Sequence, residues 1–279
     1  MADLGTYAEN TWCTGCGNFG ILRAVKQAVT QLEQQGVDRN QLVISAGIGC
    51  HGKIFDYLNL SGVYSIHGRS VATVTGMKIA NPSLKPITFV GDGDAYGEGL
   101  THLVFAAKRN MDISVFVHNN GVYALTTGQF TPTTNKGVKT RSSLYGNPEE
   151  PLNPLTLMLE TGATFIARGY PGKLDHLTDL IVQAVQHKGF SLIDILQPCV
   201  TFNNTYDEYN AKVELLNGPV SYSKAVKAAR KHDRLPIGVF YQAEKPVYHH
   251  ELYGDLNPVQ DSLSPAERQN IVYQLVYGD

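Results

Sequence analysis

Between residues 41 and 196 short apolar runs alternate with amphipathic stretches, and that alternation leaves few folds open. Residues 41–46 (QLVISA), 86–90 (PITFV), 113–117, 164–167 and 191–196 each read as a buried strand. Helical spacing marks residues 70–80, 98–109, 153–160 and 173–187 between them. A further helix over 18–35 puts Phe19, Leu22, Val25, Val29 and Leu32 on one face and stops at Gly36. Strands alternating with helices predict an α/β fold, a parallel sheet with helices on both faces. Ligands of such sheets gather at the carboxyl ends of the strands, which is where Cys50, Asp92 and Asn120 fall.

The alternation stops near Cys199. Residues 1–200 are therefore expected as the binding domain, and 201–279 as a C-terminal extension packing on that domain or on a partner. One amphipathic helix is predicted over 221–231. The tail beyond Leu235, rich in Tyr, Pro, His and acidic residues, carries little periodic signal and reads as an arm.

With 43% apolar and 17% charged residues the 279-residue chain can bury a substantial core. A formal net charge of -2 leaves no basic footprint for nucleic acid, and residues 224–234, the densest basic stretch, fit one exposed helix face. No run approaches the roughly 20 apolar residues that cross a bilayer. The first five residues lack a basic region followed by an apolar core, so no secretory signal and a cytoplasmic location are expected. His249 and His250 fit a polar tail better than a metal site.

Two constellations carry chemistry. Gly91-Asp92-Gly93-Asp94 follows one predicted strand and Asn119-Asn120 ends the next. Each alone is an ordinary turn. On adjacent parallel strands they bring Asp92 and Asn120 to one rim as hard oxygen ligands for Mg²⁺, with glycines that let a phosphate approach the backbone. Together they resemble a thiamine-diphosphate signature. The second constellation is Cys13-Thr-Gly-Cys16 with Cys50 and Cys199, at turns and strand ends. Such a set suits Zn²⁺ or an iron–sulfur cluster, and the C-x-x-C spacing serves both.

The segments Trp12-Cys-Thr-Gly-Cys-Gly-Asn18, Gly47-Ile-Gly-Cys50, His67-Gly-Arg69, Gly91-Asp-Gly-Asp94, Asn119-Asn-Gly-Val-Tyr-Ala-Leu-Thr-Thr-Gly-Gln129 and Gln197-Pro-Cys199 occur in that order. They resemble the β subunit of 2-oxoacid:ferredoxin oxidoreductases over residues 10–200, and the resemblance is expected to extend into the tail. The resemblance implies a thiamine-diphosphate-binding fold and one [4Fe–4S] cluster on Cys13, Cys16, Cys50 and Cys199. It implies Mg²⁺ on Asp92, Asn120 and the Val122 carbonyl. Thiamine diphosphate would contact Ile48, Gly49, Cys50, His51, His67, Gly91, Gly93, Asp94, Ala124 and Leu125.

The implied reaction is oxidative decarboxylation of a 2-oxo acid, with the acyl group passed to coenzyme A. Electrons pass singly through the cluster to ferredoxin, and the cofactor carries the bond-breaking. His67 and Lys53 are the catalytic candidates, Lys53 as a partner for a substrate carboxylate. The activating glutamate and most of the coenzyme A site would belong to a separate α subunit, in an αβ or (αβ)₂ assembly, so this chain alone is expected to be inactive. The single-cluster length and residues 131–140 are most similar to the 2-oxoglutarate branch, with pyruvate or branched-chain 2-oxo acids as alternatives. Two competing readings are a non-oxidative thiamine-dependent enzyme, which gives the cysteines no work, and a zinc-stapled non-catalytic binding subunit, which leaves the magnesium signature unexplained.

Overall fold

The computed structural model describes residues 3–231, 233–260 and 263–278. Helix α1 (Gly17–Gln34) leads to strand β1 (Leu42–Ala46), then β2 (Ser61–Tyr64), α2 (Ser70–Ala80) and β3 (Lys85–Gly91). Next come α3 (Leu100–Lys108), β4 (Ser114–Asn119) and a two-stranded hairpin of β5 (Val122–Tyr123) and β6 (Gln129–Phe130). The alternation resumes with α4 (Pro154–Glu160), β7 (Phe165–Gly169), α5 (Leu174–Gln186) and β8 (Ser191–Leu196). The remainder holds α6 (Tyr206–Lys212), β9 (Val213–Leu215), α7 (Tyr222–Ala229), β10 (Leu235–Gln242), α8 (Tyr248–Tyr253) and α9 (Pro265–Tyr277).

Eight of these strands form one sheet in the order β2-β1-β3-β4-β8-β7-β10-β9. All its pairs are parallel except β10 with β7. The central strands are buried along nearly their whole length because both faces are covered. In β4, Phe116 points into a core with α1 and α5, while Val115 and Val117 point into a second core with α2, α3, α4 and α7. That period of two against cores on either side is what a continuous apolar run encodes in a parallel sheet.

Two expectations need correction. The tail beyond Leu235 is not an arm at its start: Leu235–Gln242 is β10, with residues 236–240 buried between β7 and β9. Pro236 and Gly238 argue against an interior strand, which hid it. The fold accommodates them because pairing with β7 begins only at Gly238, which takes φ +129° beside a register shift. The sheet therefore runs across residue 200. Secondly, the helix predicted from residue 98 is preceded by a wider π-helical turn over Gly93–Glu98, which starts directly after Asp92. Such turns are frequent at functional sites.

Helix α9 starts at a capping box, with the Ser264 side chain and Glu267 satisfying each other's backbone N–H groups. It buries no residue against the remainder of the chain. Among the described residues no helix is long and apolar enough to cross a membrane.

Candidate active site

The chain order reverses between β1 and β3, where β1 turns back to β2 on one side and β3 leads on to β4 on the other. Crevices at such switch points are where open α/β sheets bind ligands. Four neighbouring parallel strands, β1, β3, β4 and β8, end on this edge. They deliver the Gly47–Cys50 turn, Asp92, Asn120 and Gln197-Pro198-Cys199 respectively.

Asp92 is 1% exposed. It accepts from Thr131 Oγ1 at 2.5 Å, Thr133 Oγ1 at 2.7 Å and the Asn120 N–H at 3.4 Å. These donors are neutral, and burial raises the Asp92 carboxyl above its usual pKa despite them. A buried carboxylate with neutral partners is a ready acceptor for a cation. Beside it the Asn120 side chain is fixed through Oδ1, which accepts from the Val122 N–H at 3.0 Å, and Nδ2, which donates to Gln197 Oε1 at 2.9 Å. Thus Asp92, Asn120 and Val122 meet at one rim, and their oxygens fit a hard divalent cation.

Asp94 faces the opposite wall. Its Oδ1 accepts from the Gly68 N–H at 2.8 Å and lies 2.8 Å from His67 Nδ1, while Oδ2 is 3.7 Å from His51 Nε2. Burial pushes the Asp94 carboxyl up, but His51, His67 and the Gly68 N–H outweigh it and hold it well below the usual carboxylate range. His67, half-exposed, is raised by that same carboxylate. Glycine is required here by space: a Cβ at Gly47 would sit 1.9 Å from Asp94 Oδ2, and one at Gly93 would sit 2.2 Å from the Tyr123 ring. Tyr123 is held over Gly93 by bonds from its hydroxyl to Gly93 O and to Glu98.

The cysteines converge from two directions. Cys50 and Cys199 come from strand ends, and Cys13 and Cys16 from the turn before α1. That turn is closed by Cys16 N–H donating to Cys13 O at 2.9 Å and docked by Gly17 N–H donating to Pro198 O at 3.1 Å. Trp12 Nε1 donates to Cys50 O at 2.6 Å, tying the segment to β1. All four are free thiols. Burial pushes the Cys16 thiol up to about 11, with a smaller upward push from the other three cysteines and a bond from the Asn18 N–H working against it. Burial likewise raises Cys50, against the pull of Lys53. Among the described residues no three His, Cys, Asp or Glu side chains are grouped so as to hold one metal ion.

Two cavities express this arrangement. The first, about 70 Å³, is lined by Ile48, Gly49, Cys50, His51, His67, Gly91, Asp92, Gly93, Asp94, Asn120, Val122, Ala124 and Leu125, with Tyr123 and Thr126. Every residue singled out for the diphosphate and magnesium therefore lines one cleft. The second, about 250 Å³, is lined by all four cysteines together with Lys53, Asn18, Gln197, Thr201 and others. Cys50, Asn120, Ala124 and Leu125 line both. Lys53 Nζ donates to Thr11 Oγ1 at 3.0 Å, so it sits on the cysteine side, away from His67. His249 is buried, and His250 lies 3.4 Å from Asp255.

Sequence reasoning missed Thr131, Thr133, Tyr123 and Gln197. The run Thr131-Pro-Thr-Thr134 and the pair Gln197-Pro198 were visible, but a hydroxyl or an amide has no spacing rule that assigns it to a carboxylate across the sheet.

The family described as thiamine pyrophosphate enzyme, C-terminal TPP binding domain, matches residues 47–195. The family for the C-terminal part of the pyruvate ferredoxin oxidoreductase beta chain matches residues 199–254. The 2-oxoacid:ferredoxin oxidoreductase subunit beta of Saccharolobus solfataricus is 45% identical over 254 residues, 84% of this chain and 82% of the relative. The 2-oxoglutarate synthase subunit KorB of Archaeoglobus fulgidus is 40% identical over 190 residues, 68% of this chain and 70% of the relative. A solved 2-oxoglutarate:ferredoxin oxidoreductase from Magnetococcus marinus, with 2-oxoglutarate, coenzyme A and succinyl-CoA bound, superposes with a TM-score of 0.89. It is 31% identical, and the match covers 97% of this chain and 94% of that one.

Proposed function

The chain belongs to the family of 2-oxoacid:ferredoxin oxidoreductase β subunits, enzyme subunits with a thiamine-diphosphate-type domain, and from that membership we propose the following function. It binds thiamine diphosphate through Mg²⁺ and carries a [4Fe–4S] cluster. With an α-type subunit it converts 2-oxoglutarate and coenzyme A to succinyl-CoA, delivering electrons to ferredoxin. The observation that carries the reading is that the two cavities are adjacent, with Cys50, Asn120, Ala124 and Leu125 lining both.

Asp92, Asn120 and the Val122 carbonyl hold the magnesium. The backbone from Ile48 to His51 and at Gly91 and Gly93 takes the diphosphate, with Ala124 and Leu125 against the cofactor. Asp94 orients His51 and His67, and His67 holds a proton at Nδ1 beside the cleft. Lys53 offers its ammonium to a substrate carboxylate on the cysteine side. When bound, the cofactor supplies the decarboxylation chemistry and the cluster the one-electron exit. Cys13, Cys16, Cys50 and Cys199 hold the cluster. The four cysteines line one cavity of about 250 Å³, and a Cys₄ set is what a [4Fe–4S] cluster uses.

The α-type partner is supported by the sheet edge. Strand β2 is exposed along its length, and Ile66 beyond it, Ile48 and Leu125 at the cleft leave apolar surface in solvent. The 2-oxoglutarate assignment rests on the relatives named for that substrate. A cytoplasmic location belongs to the same reading, supported by four unpaired thiols.

Iron, acid-labile sulfide and zinc content of anaerobically purified protein is the test. Iron and sulfide in equal amounts, about four each per chain for a Cys₄ cubane, is expected. A substrate screen with the α subunit would then show succinyl-CoA formation exceeding acetyl-CoA formation. About one zinc per chain with no sulfide would overturn the electron-transfer half and favour the zinc-stapled reading.

A further inference from the structure

We propose that Gln197 joins the two centres, holding Asn120 on the magnesium side and donating to the Cys16 thiolate on the cluster side, and thereby raises the cluster's reduction potential. The inference rests on the four cysteines being cluster ligands. Gln197 is 1% exposed and follows β8, where its backbone N–H donates to Asn119 O at 2.9 Å. The sheet therefore fixes its position.

Its amide orientation is fixed by backbone groups of one polarity at each end. Pro198 O can only accept, and it lies 2.7 Å from Gln197 Nε2. The Val122 N–H can only donate, and it takes Asn120 Oδ1 at 3.0 Å. That turns Asn120 Nδ2 onto Gln197 Oε1 at 2.9 Å. Reversing either amide sets donor against donor or acceptor against acceptor. With Nε2 so placed, it also donates to Cys16 Sγ at 3.5 Å. Thr201 provides an internal contrast, since its hydroxyl donates to Cys13 Sγ at 3.3 Å from the loop after Cys199.

A hydrogen bond to a thiolate is charge-assisted. It stabilises the reduced cluster, which carries one more negative charge, more than the oxidised one, and such bonds help set cluster potentials. Gln197 touches none of the reacting atoms, so its role is one of positioning and of tuning.

The test uses the assembled αβ enzyme and a redox titration followed by electron paramagnetic resonance. Gln197→Met keeps the side-chain length and removes the donor and the acceptor. Expected is a shift of the reduction equilibrium by about tenfold toward the oxidised cluster, about 59 mV for one electron, together with several-fold weaker thiamine diphosphate binding. Thr201→Val should lower the potential and leave that binding unchanged. In wild-type enzyme made with nitrogen-15 glutamine, pulsed resonance on the reduced cluster should show a nitrogen coupling from Nε2, a readout that needs no variant to fold. An unchanged potential in Gln197→Met with full iron and sulfide, or no nitrogen coupling in the wild type, overturns the proposal. Wild-type enzyme without iron and sulfide overturns the cluster reading instead.

Discussion

Replacing Asp92 by alanine separates what the carboxylate does for the fold from its proposed role toward the cation. In the protein without cofactor, the change removes an acceptor shared by Thr131 Oγ1, Thr133 Oγ1 and the Asn120 N–H. Donors left buried and unpaired cost about 1–3 kcal/mol each. The two hydroxyls have a local remedy, because Thr131 Oγ1 lies 3.3 Å from Thr133 Oγ1 and 3.2 Å from Thr134 Oγ1. The variant also sheds a carboxyl that burial disfavours as an anion. Opposing terms therefore leave stability changed by about 2 kcal/mol or less. Nothing offsets the loss on the cation side. Removing one member of a buried charge pair costs about 3–5 kcal/mol, which at about 1.4 kcal/mol per tenfold weakens magnesium-dependent cofactor binding by about 10² to 4 × 10³. Calorimetric titration of thiamine diphosphate into the anaerobic αβ complex at fixed Mg²⁺ measures this, with iron content as a control for the untouched cysteines. Binding within about threefold of wild type, iron content unchanged, would refute the assignment of the cation to Asp92.

Cys199→Ser should lower iron and sulfide sharply while thiamine diphosphate affinity stays within a few-fold, checked by metal analysis and the same titration. Gly93→Ala drives a methyl into the Tyr123 ring; overpacking of about 1–3 kcal/mol should lower the melting temperature by several degrees and weaken cofactor binding. The raised pKa of His67 means its contribution to stability is complete below the unfolded value of about 6.5 and is lost as pH rises through the folded one. The melting-temperature gap between wild type and His67→Gln should accordingly be widest in mild acid and close at alkaline pH. In cluster-free protein, mass-spectrometric footprinting with an alkylating agent should label exposed Cys13 before Cys16, which is buried and whose thiol is raised to about 11.

What the sequence made legible is what periodicity and turn chemistry encode. The strand over residues 191–196 and the helix over 70–80 appear at the predicted bounds. Parallel pairing then forces Asp92 and Asn120 to one rim, since Gly91 lies opposite His118 across β3 and β4. Strand β10 was lost because Pro236 and Gly238 imitate a loop, although its neighbours on both sides pair with it. Thr131 and Thr133 were lost for a different reason. They follow β6 on a loop that carries no repeat of its own, and they reach Asp92 only once the hairpin Val122–Phe130 has folded the chain back.

The two proposed centres share particular side chains, and that constrains how the site can vary. Asn120 lines both cavities, and it takes its orientation from Val122 on one side and Gln197 on the other. Gln197 is anchored in turn by Asn119 O and Pro198 O, and Pro198 O also receives the Gly17 N–H that docks the Cys13–Cys16 turn. A change at residue 197 therefore reaches both a proposed magnesium ligand and a proposed cluster ligand through bonds of 3.5 Å or less. Pairs of variants at Asn120 and Gln197 should then be non-additive in cofactor affinity, as expected for groups sharing one hydrogen-bond network. Additive losses would mean that the two centres are neighbours without being coupled.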